Sequence, residues 1–351
     1  MALFAPAHVS RPVRAPARRW ARLSDDELLR VRFSDLKLTT ANARLKRGIG
    51  RLNDELAAVG LRFRPHCWLA EEWFSPDGVP GIAIPFYLAH PRLRALEHRM
   101  MREVEGGNAN WLMRILRHEA GHALDSAFRL RRRRRWREVF GPPSLPYPES
   151  YRPRPGSRRF VQHLGAWYAQ SHPTEDFAET FAVWLSGAPW RSAYREWPAL
   201  TKLEYVDELM RELRGQIPPV RSRLRIEPIS ADRRTLGEHY RARMARNARG
   251  RARLLDEQLR RTFTHERRPL RPVRAASFIR RHKNSLRRTL ALQLDVSEYL
   301  VHQVLRQVIQ RAVEQGLYLR TSQRDARKPV QRLIARLTRM HLDGSAGRHM
   351  L

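Results

Sequence analysis

The chain has 351 residues, 42% of them hydrophobic, so it is long enough to bury one or two cores, and wholesale disorder is excluded. Its 68 Lys and Arg residues against 35 Asp and Glu residues give a formal net charge of +33, which favours anionic partners, although a general arginine bias would produce the same excess. A single cysteine, Cys67, excludes an intrachain disulfide and fits a reducing compartment. No stretch reaches the ~18 apolar residues of a membrane-spanning helix, so we expect a cytoplasmic protein without membrane contact.

The N-terminal part is predicted to contain an unstructured arm and two helices. Residues 1–23 are rich in Ala, Pro and Arg and lack acidic residues and an apolar signal segment, which is typical of a basic disordered arm. Ser24 and Glu27 form a capping-box pattern that opens a short helix. Residues 39–59 carry apolar side chains at helical spacing, and Gly60 is expected to end that longer helix.

Two runs farther along the chain have the character of strands. In residues 61–69, Leu61, Phe63 and Trp68 alternate in part around Pro65, and residues 81–88 form a second, largely apolar run. The sequence Ser-Pro-Asp-Gly at 75–78 predicts a turn between them. Pro85 within the second run favours a strand at the edge of a sheet. A helix over 91–104 is predicted to follow.

The next helix carries an H-E-x-x-H pattern. Residues 110–130 have apolar side chains at intervals of three, four and seven, as a buried helix face requires. Positions i and i+4 lie one above the other, so His118 and His122 can direct two imidazole nitrogens at one metal ion. Glu119 then reaches the open side of the metal, where a general base acts on water. The alternative is a helix that carries two histidines without a metal, and a third ligand decides between these interpretations.

A second helix, over residues 172–185, offers that third ligand. Ser171 or Thr174 is the expected N-cap. Glu175 and Glu179 lie one turn apart beside the buried stripe, and two carboxylates there are costly unless a cation meets them. We therefore predict Glu175 as the third zinc ligand. Glu179 is predicted to accept the remaining N–H of a ligand histidine and so to fix its tautomer.

The two helical motifs carry a resemblance to a known group. His118-Glu119-x-x-His122 followed by Glu175-x-x-x-Glu179 resembles the gluzincin metallopeptidases, whose third ligand is a glutamate on a later helix. The sequence Glu-Asp-Phe-Ala-Glu-Thr-Phe-Ala at 175–182 is similar to bacterial proteins called "putative zinc-binding metallopeptidases" and to the catalytic domain of anthrax lethal factor. The resemblance covers roughly residues 33–210. It implies a zincin-like α+β domain, with a small twisted sheet, an active-site helix and a glutamate helix, that hydrolyses protein or peptide substrates with Zn²⁺.

The same resemblance implies a role for Tyr168. A tyrosine stands seven residues before the ligand glutamate in the lethal factor domain, and Tyr168 has that offset from the predicted ligand. Its hydroxyl would then donate to the developing oxyanion. Tyr147, Tyr151 and Tyr205 are rival candidates, and a tyrosine of the core is the alternative interpretation of Tyr168.

Two segments between the motif helices have unusual composition. Residues 131–135 are five consecutive arginines, which are typical of a solvated surface but would also select acidic substrates if they lay near a cleft. Residues 141–158 are rich in proline, serine and tyrosine, and we expect them to line or cover the cleft.

The composition changes near Gly215, and the chain beyond it is strongly basic. We predict a zinc metallopeptidase domain over 24–215 and an Arg-rich, mostly α-helical domain over 216–351. Asp295 and Ser297 begin one amphipathic helix of that domain, and 330–342 form another. Such a domain can bind nucleic acid through phosphates or an acidic protein. The alternative function for the whole chain is therefore a basic nucleic-acid- or partner-binding protein whose metal site is structural or vestigial.

Overall fold

The computed structural model describes residues 19–148, 151, 153–154, 156–165, 167–267 and 272–342, without the side chains of 247–253 and 341–342. Over this part the chain is mostly helical with two small two-stranded sheets, which is compatible with the predicted α+β class. The chain divides into two compact units, Met1–Ala242 and Arg243–Leu351, and each is described by itself.

The first unit contains the predicted metal-binding helices within a largely helical framework. Its helices and strands are, in chain order, α1 (Asp25–Leu29), α2 (Ala43–Ala58), β1 (His66–Ala70), β2 (Gly81–Pro85), α3 (Pro91–Met101), α4 (Ala109–Phe128), α5 (Arg134–Phe140), α6 (Pro173–Leu185), α7 (Trp190–Ala193) and α8 (Leu200–Leu213). Short 3-10 helices lie at Arg19–Arg22, Phe33–Asp35, Phe86–Ala89, Leu130–Arg132, Tyr168–Gln170 and Ile229–Ala231. One hydrophobic core gathers the apolar faces of these elements.

The helix starts follow local capping. The capping box that begins α1 is confirmed, since Ser24 and Glu27 each accept a hydrogen bond from the other's backbone N–H. Helix α2 begins later than the predicted residue 39, because the Asn42 side chain accepts from the backbone N–H of Leu45 at 3.0 Å and so fixes the first turn there.

The small sheet of this unit has the predicted turn at 75–78 between its two strands. Strands β1 and β2 pair in parallel, with Trp68 opposite Ala83. The connection between them turns back on itself, and the backbone N–H of Ala83 donates to the carbonyl of Phe74 at 2.8 Å. Residues 75–78 therefore join Phe74 to β2, whose five residues are all buried.

Helices α4 and α6 approach each other closely at Gly121. A Cβ atom at this position would lie 2.9 Å from Cα of Ala178 and 3.2 Å from a ring carbon of Phe181. Real Cβ atoms do not come that close to backbone, so this glycine permits the contact between the two helices. The contact brings the side chains of the H-E-x-x-H turn against the carboxylates of α6.

Two segments near the ends of the first unit pack more tightly than composition suggested. Residues 1–18 of the predicted disordered arm lie outside the described residues, but Trp20 is buried and its indole N–H donates to the carbonyl of Leu36 at 3.2 Å. At the other end, Ile229, Leu236 and Tyr240 belong to the main core, so the compact unit runs past the predicted limit at residue 215. The predicted domain limits, 24–215 and 216–351, remain predictions.

The second unit is built from long helices with its own hydrophobic core. Helix α9 (Leu236–Thr262) begins in the first unit and continues into the second. It is followed by β3 (Phe263–Thr264), α10 (Ala275–Leu294), α11 (Glu298–Glu314), β4 (Tyr318–Leu319) and α12 (Gln323–Leu342). Strands β3 and β4 pair antiparallel. Across the residues that the structure describes, no helix combines the length and apolar character needed to cross a membrane.

Candidate metal centre

Helix α4 carries the histidines, and a capping interaction defines each of its ends. The Asn108 side chain accepts from the backbone N–H of Trp111 at 2.8 Å at the N-terminus. Arg129 takes the left-handed conformation at the C-terminus, and its N–H donates to the carbonyl of Asp125. Most of the helix between these ends is buried, including His118 and Glu119. The histidines therefore sit on a rigid element in the interior of the unit.

Helix α6 carries the glutamates and begins at an unexpected cap. His172, and not Ser171 or Thr174, is the N-cap, because its Nδ1 accepts from the backbone N–H of Thr174 at 3.2 Å. Its Nε2 lies 2.9 Å from the carbonyl of Leu145, so the same ring fixes the proline-rich segment. Imidazole is not among the usual capping groups, which is why the sequence pointed to the neighbouring hydroxyl residues.

Three side chains converge on one point between the two helices. Nε2 of His118 and Nε2 of His122 are 3.2 Å apart, and each is 3.1 Å from Oε2 of Glu175. A tetrahedral ion with bonds of roughly 2.0–2.1 Å separates its ligand atoms by about 3.3 Å, so this triangle has the size that zinc requires. Without a cation, three atoms that all carry lone pairs would have to share protons. The donor set of two imidazoles and one carboxylate therefore fits zinc, and these residues form a possible metal site.

Glu179 contacts Nδ1 of His118, the ring nitrogen that does not face the convergent atoms. Its Oε1 lies 2.9 Å from Nδ1 of His118, and its Oε2 accepts from the backbone N–H of Leu164 at 2.8 Å. The Glu179 side chain is completely buried, so both oxygens depend on these partners. Burial would lower the pKa of His118, but the carboxylates of Glu175 and Glu179 outweigh it and raise that pKa well above its usual value. The carboxylate also favours the tautomer that leaves Nε2 free for a metal.

The carboxylate of Glu175 is oriented by Tyr147, a residue of the proline-rich segment. The Tyr147 hydroxyl donates to Oε1 of Glu175 at 2.8 Å, which leaves Oε2 to face the two histidines. The Tyr147 ring stacks on His172, with ring centroids 3.9 Å apart. Burial would raise the pKa of Glu175, but His122 and His118 outweigh it and hold that pKa well below its usual value. Glu175 is thus kept as a carboxylate with one oxygen directed at the site.

Glu119 follows His118 on α4 and is held by a loop residue. Oγ of Ser75 donates to Oε2 of Glu119 at 2.9 Å and lies 3.1 Å from its backbone carbonyl. Ser75 follows Phe74, the residue that pairs with β2, so the sheet fixes its position. The His122 side chain is 11% exposed against 3% for His118, so His122 is the more accessible of the two histidines.

The tyrosine candidates occupy different places. The Tyr168 ring lies 5.5 Å from the His118 ring, so Tyr168 is close to the centre. Burial and the carboxylates of Glu175 and Glu119 raise the pKa of Tyr168 well above its usual value, so its hydroxyl keeps its proton. Tyr147 contacts Glu175 instead, and Tyr205 packs on Phe140.

The arginine run at 131–135 is largely engaged in ion pairs within the unit. Arg131 binds both Asp125 and Asp77, at 2.6 and 2.7 Å. Arg133, Arg134 and Arg135 lie 2.7–2.8 Å from the carboxylates of Glu212, Glu138 and Glu208. These partners lie within the unit itself, which favours a structural role for the run over selection of acidic substrates.

Comparison with known proteins gives one family match. Residues 94–189 match the model of the family described as "Putative zinc-binding metallo-peptidase". The matched segment includes α4 and α6 and therefore all three convergent residues. No curated protein and no solved structure matches the chain.

Proposed function

We propose that the first unit is a zinc-dependent metallopeptidase that hydrolyses peptide bonds in protein or peptide substrates. The observation that carries this proposal is the convergence of His118, His122 and Glu175 on one point, within a segment that matches a zinc-binding peptidase family. The proposal includes a zincin-like arrangement, in which a small sheet, an active-site helix and a glutamate helix surround the metal.

The three ligands would hold the ion through Nε2 of each histidine and Oε2 of Glu175. A bound zinc ion lowers the pKa of a coordinated water towards ~7 and polarises the carbonyl of the scissile bond. Glu179 keeps Nδ1 of His118 protonated and hydrogen-bonded, so Nε2 faces the site. The Tyr147 hydroxyl donates a hydrogen bond to Oε1 of Glu175, so Oε2 remains directed at the same point.

Glu119 is the proposed general base. It takes a proton from the attacking water and transfers it to the leaving amine. Its neighbour in the sequence, His118, is one of the proposed ligands, so the Glu119 carboxylate and a ligand imidazole extend from the same turn of α4. The hydrogen bond from Ser75 limits the rotamers of Glu119 and holds Oε2 in place before the substrate arrives.

Tyr168 is the proposed donor to the oxyanion. Its ring is within 5.5 Å of the His118 ring, and its hydroxyl remains protonated at neutral pH, as a donor must. A well-placed donor of this kind contributes on the order of 10²–10³ in rate. Tyr147 is the less suitable candidate for this role, because its hydroxyl is already engaged with Glu175.

The test separates metal binding from chemistry. Wild-type protein and Glu119→Gln are purified from zinc-supplemented cultures, their metal content is measured, and hydrolysis of a fluorescently labelled unfolded protein is followed. We expect equal zinc in both proteins and hydrolysis by the wild type alone. Hydrolysis by Glu119→Gln at the wild-type rate would refute the role of Glu119. A wild type that neither retains zinc nor hydrolyses the substrate would refute the proposed function.

A further inference from the structure

The second unit contains two helices joined by a very short turn. Helix α10 ends at Leu294, and α11 begins at Glu298. Asp295 takes the left-handed conformation with φ 51° and ψ 54°, and its backbone N–H donates to the carbonyls of Ala291 and Leu292. The Ser297 side chain then accepts from the backbone N–H of Leu300 at 3.3 Å and caps α11. Three residues thus join two well-defined helices, which is the turn length of a helix-turn-helix.

The pair is fixed by the core of the unit. Leu286 and Leu290 of α10, with Val301 and Leu305 of α11, are all buried in one cluster. Helix α12 supplies Ile334 to the same cluster. Because α10 and α12 hold the apolar face of α11, the opposite face of α11 is presented to solvent on a rigid support.

That solvent face has the chemistry of a base-reading surface. Tyr299 is 72% exposed near the start of α11, and Arg306, Gln307 and Gln310 are exposed farther along. No Asp or Glu stands between Tyr299 and Val313 in the sequence. Arginine pairs with guanine and glutamine with adenine through two hydrogen bonds each in the major groove, whose width accommodates an α-helix. An acidic protein partner would need positive charge but no row of amides.

Positive charge surrounds the same helix. Arg306 is exposed on α11 itself, and Arg287 of α10 reaches the first residue of α11. Arg287 pairs with Glu298 at 2.8 Å, which neutralises the carboxylate at the start of the helix. The acidic residues of this unit are few, and they are Asp256, Glu257, Glu266, Asp295, Glu298, Glu314, Asp325 and Asp343. A surface of this kind attracts a polyphosphate backbone and releases its counterions.

We propose that the second unit binds double-stranded DNA, with α10 and α11 as a helix-turn-helix and α11 in the major groove. The cations around α11 contact the phosphates, and the exposed side chains of α11 contact the base edges. This activity is independent of the proposed peptidase. It would bring the first unit to substrates that are themselves bound to DNA.

The experiment measures binding of the full-length protein to a fluorescent duplex of about 20 base pairs by anisotropy, over a range of salt concentrations. Arg306→Glu is compared with Arg195→Glu, which changes the net charge equally at an exposed site of the first unit, where the arginine side chain is 80% exposed. We expect Arg306→Glu to bind about ten-fold more weakly or worse with a shallower salt dependence, and Arg195→Glu to bind within about two-fold of the wild type. Both residues are exposed, so neither change should unfold the protein.

Two competitors identify the ligand class. The same sequence as single-stranded nucleic acid and poly-L-glutamate should compete less well than the unlabelled duplex. The proposal is overturned if the wild type does not bind the duplex at low salt, if the two charge reversals weaken binding equally, or if either competitor matches the duplex. His118→Ala should bind DNA as the wild type does, so loss of the metal site and loss of DNA binding remain distinguishable.

Discussion

Gly121 provides a sharp test of how the metal centre is assembled, because it permits the close contact of α4 with α6. In Gly121→Ala, the new Cβ would lie 2.9 Å from Cα of Ala178 and 3.3 Å from its carbonyl oxygen, so the two helices must separate by about half an ångström. Overpacking of this kind costs about 1–3 kcal/mol of unfolding free energy. Alanine also favours a helix by about 1 kcal/mol over glycine, and this gain offsets part of the cost.

Gly50→Ala is the matched control for that helix gain. Gly50 lies within α2, and a Cβ there would meet nothing within 4 Å. The control should therefore be stabilised by about 0.5–1 kcal/mol. Both variants gain the same helix propensity from alanine, so overpacking alone should make Gly121→Ala about 1–3 kcal/mol less stable than Gly50→Ala.

The assay has two readouts. Urea unfolding in the presence of a chelator compares the stabilities of the two metal-free variants, and competition with a zinc indicator gives their zinc affinities. Because Gly121→Ala moves the histidines away from Glu175, we expect about ten-fold weaker zinc binding, with no change for Gly50→Ala. Equal stability and equal zinc affinity in the two variants would refute the close helix contact as the basis of the site.

Three further outcomes follow from individual contacts. Glu179→Gln should weaken zinc binding about 10–100-fold while the fold is kept, because the charged acceptor of the His118 N–H is lost; an unchanged affinity in the zinc-indicator titration would contradict this role. Tyr168→Phe should lower kcat by about 10²–10³ with zinc content unchanged, whereas Tyr147→Phe should chiefly weaken zinc binding, and the reverse pattern would exchange their roles. Burial lowers the pKa of His163 to about 4, below the value of about 6.5 in an unfolded chain, so stability falls as pH drops through this window, by about 2 kcal/mol at pH 5. Urea unfolding at pH 7 and pH 5 with a chelator should show this loss in the wild type and a smaller one in His163→Gln, and identical pH dependence in both would contradict it.

The sequence was sufficient for the parts of the site that lie within single helices. His118 and His122 are four residues apart on α4, and Glu175 and Glu179 are four apart on α6, so the helical period alone places each pair on one face. Their meeting across two helices was an inference from charge: two buried carboxylates require a positive partner. The distances of 3.1 Å between the imidazole nitrogens and Oε2 agree with that reasoning.

Contacts between distant segments were not predictable in the same way. Ser75 reaches Glu119, and Tyr147 reaches Glu175, from loops whose conformations depend on tertiary packing. The sequence makes Tyr147 only a rival of Tyr168 for the oxyanion, because sequence offset does not show which carboxylate a hydroxyl contacts. That the proline-rich segment around Tyr147 lines or covers the cleft stays a prediction.

The pairing of β1 with β2 and the helices of the second unit were less predictable from the sequence than the metal centre. Residues 75–78 form the predicted turn and lead from Phe74 to β2, but a turn signal does not reveal that β1 and β2 pair in parallel. In the second unit, arginine-rich composition obscured the apolar period of α10, where Phe278, Leu286 and Leu290 form the buried face. Long arginine side chains suit both a solvated loop and an exposed helix face, so composition alone did not separate the two.

Zinc stoichiometry tests the central claim most directly. Wild-type protein and Glu175→Gln, both purified without chelator and dialysed against metal-free buffer, are analysed by inductively coupled plasma mass spectrometry alongside protein concentration. The account predicts one zinc ion per wild-type chain and little or none in Glu175→Gln, since the lost carboxylate is one of three protein ligands. A full complement of zinc in both proteins would contradict the proposed site, and so would a wild type that holds no zinc.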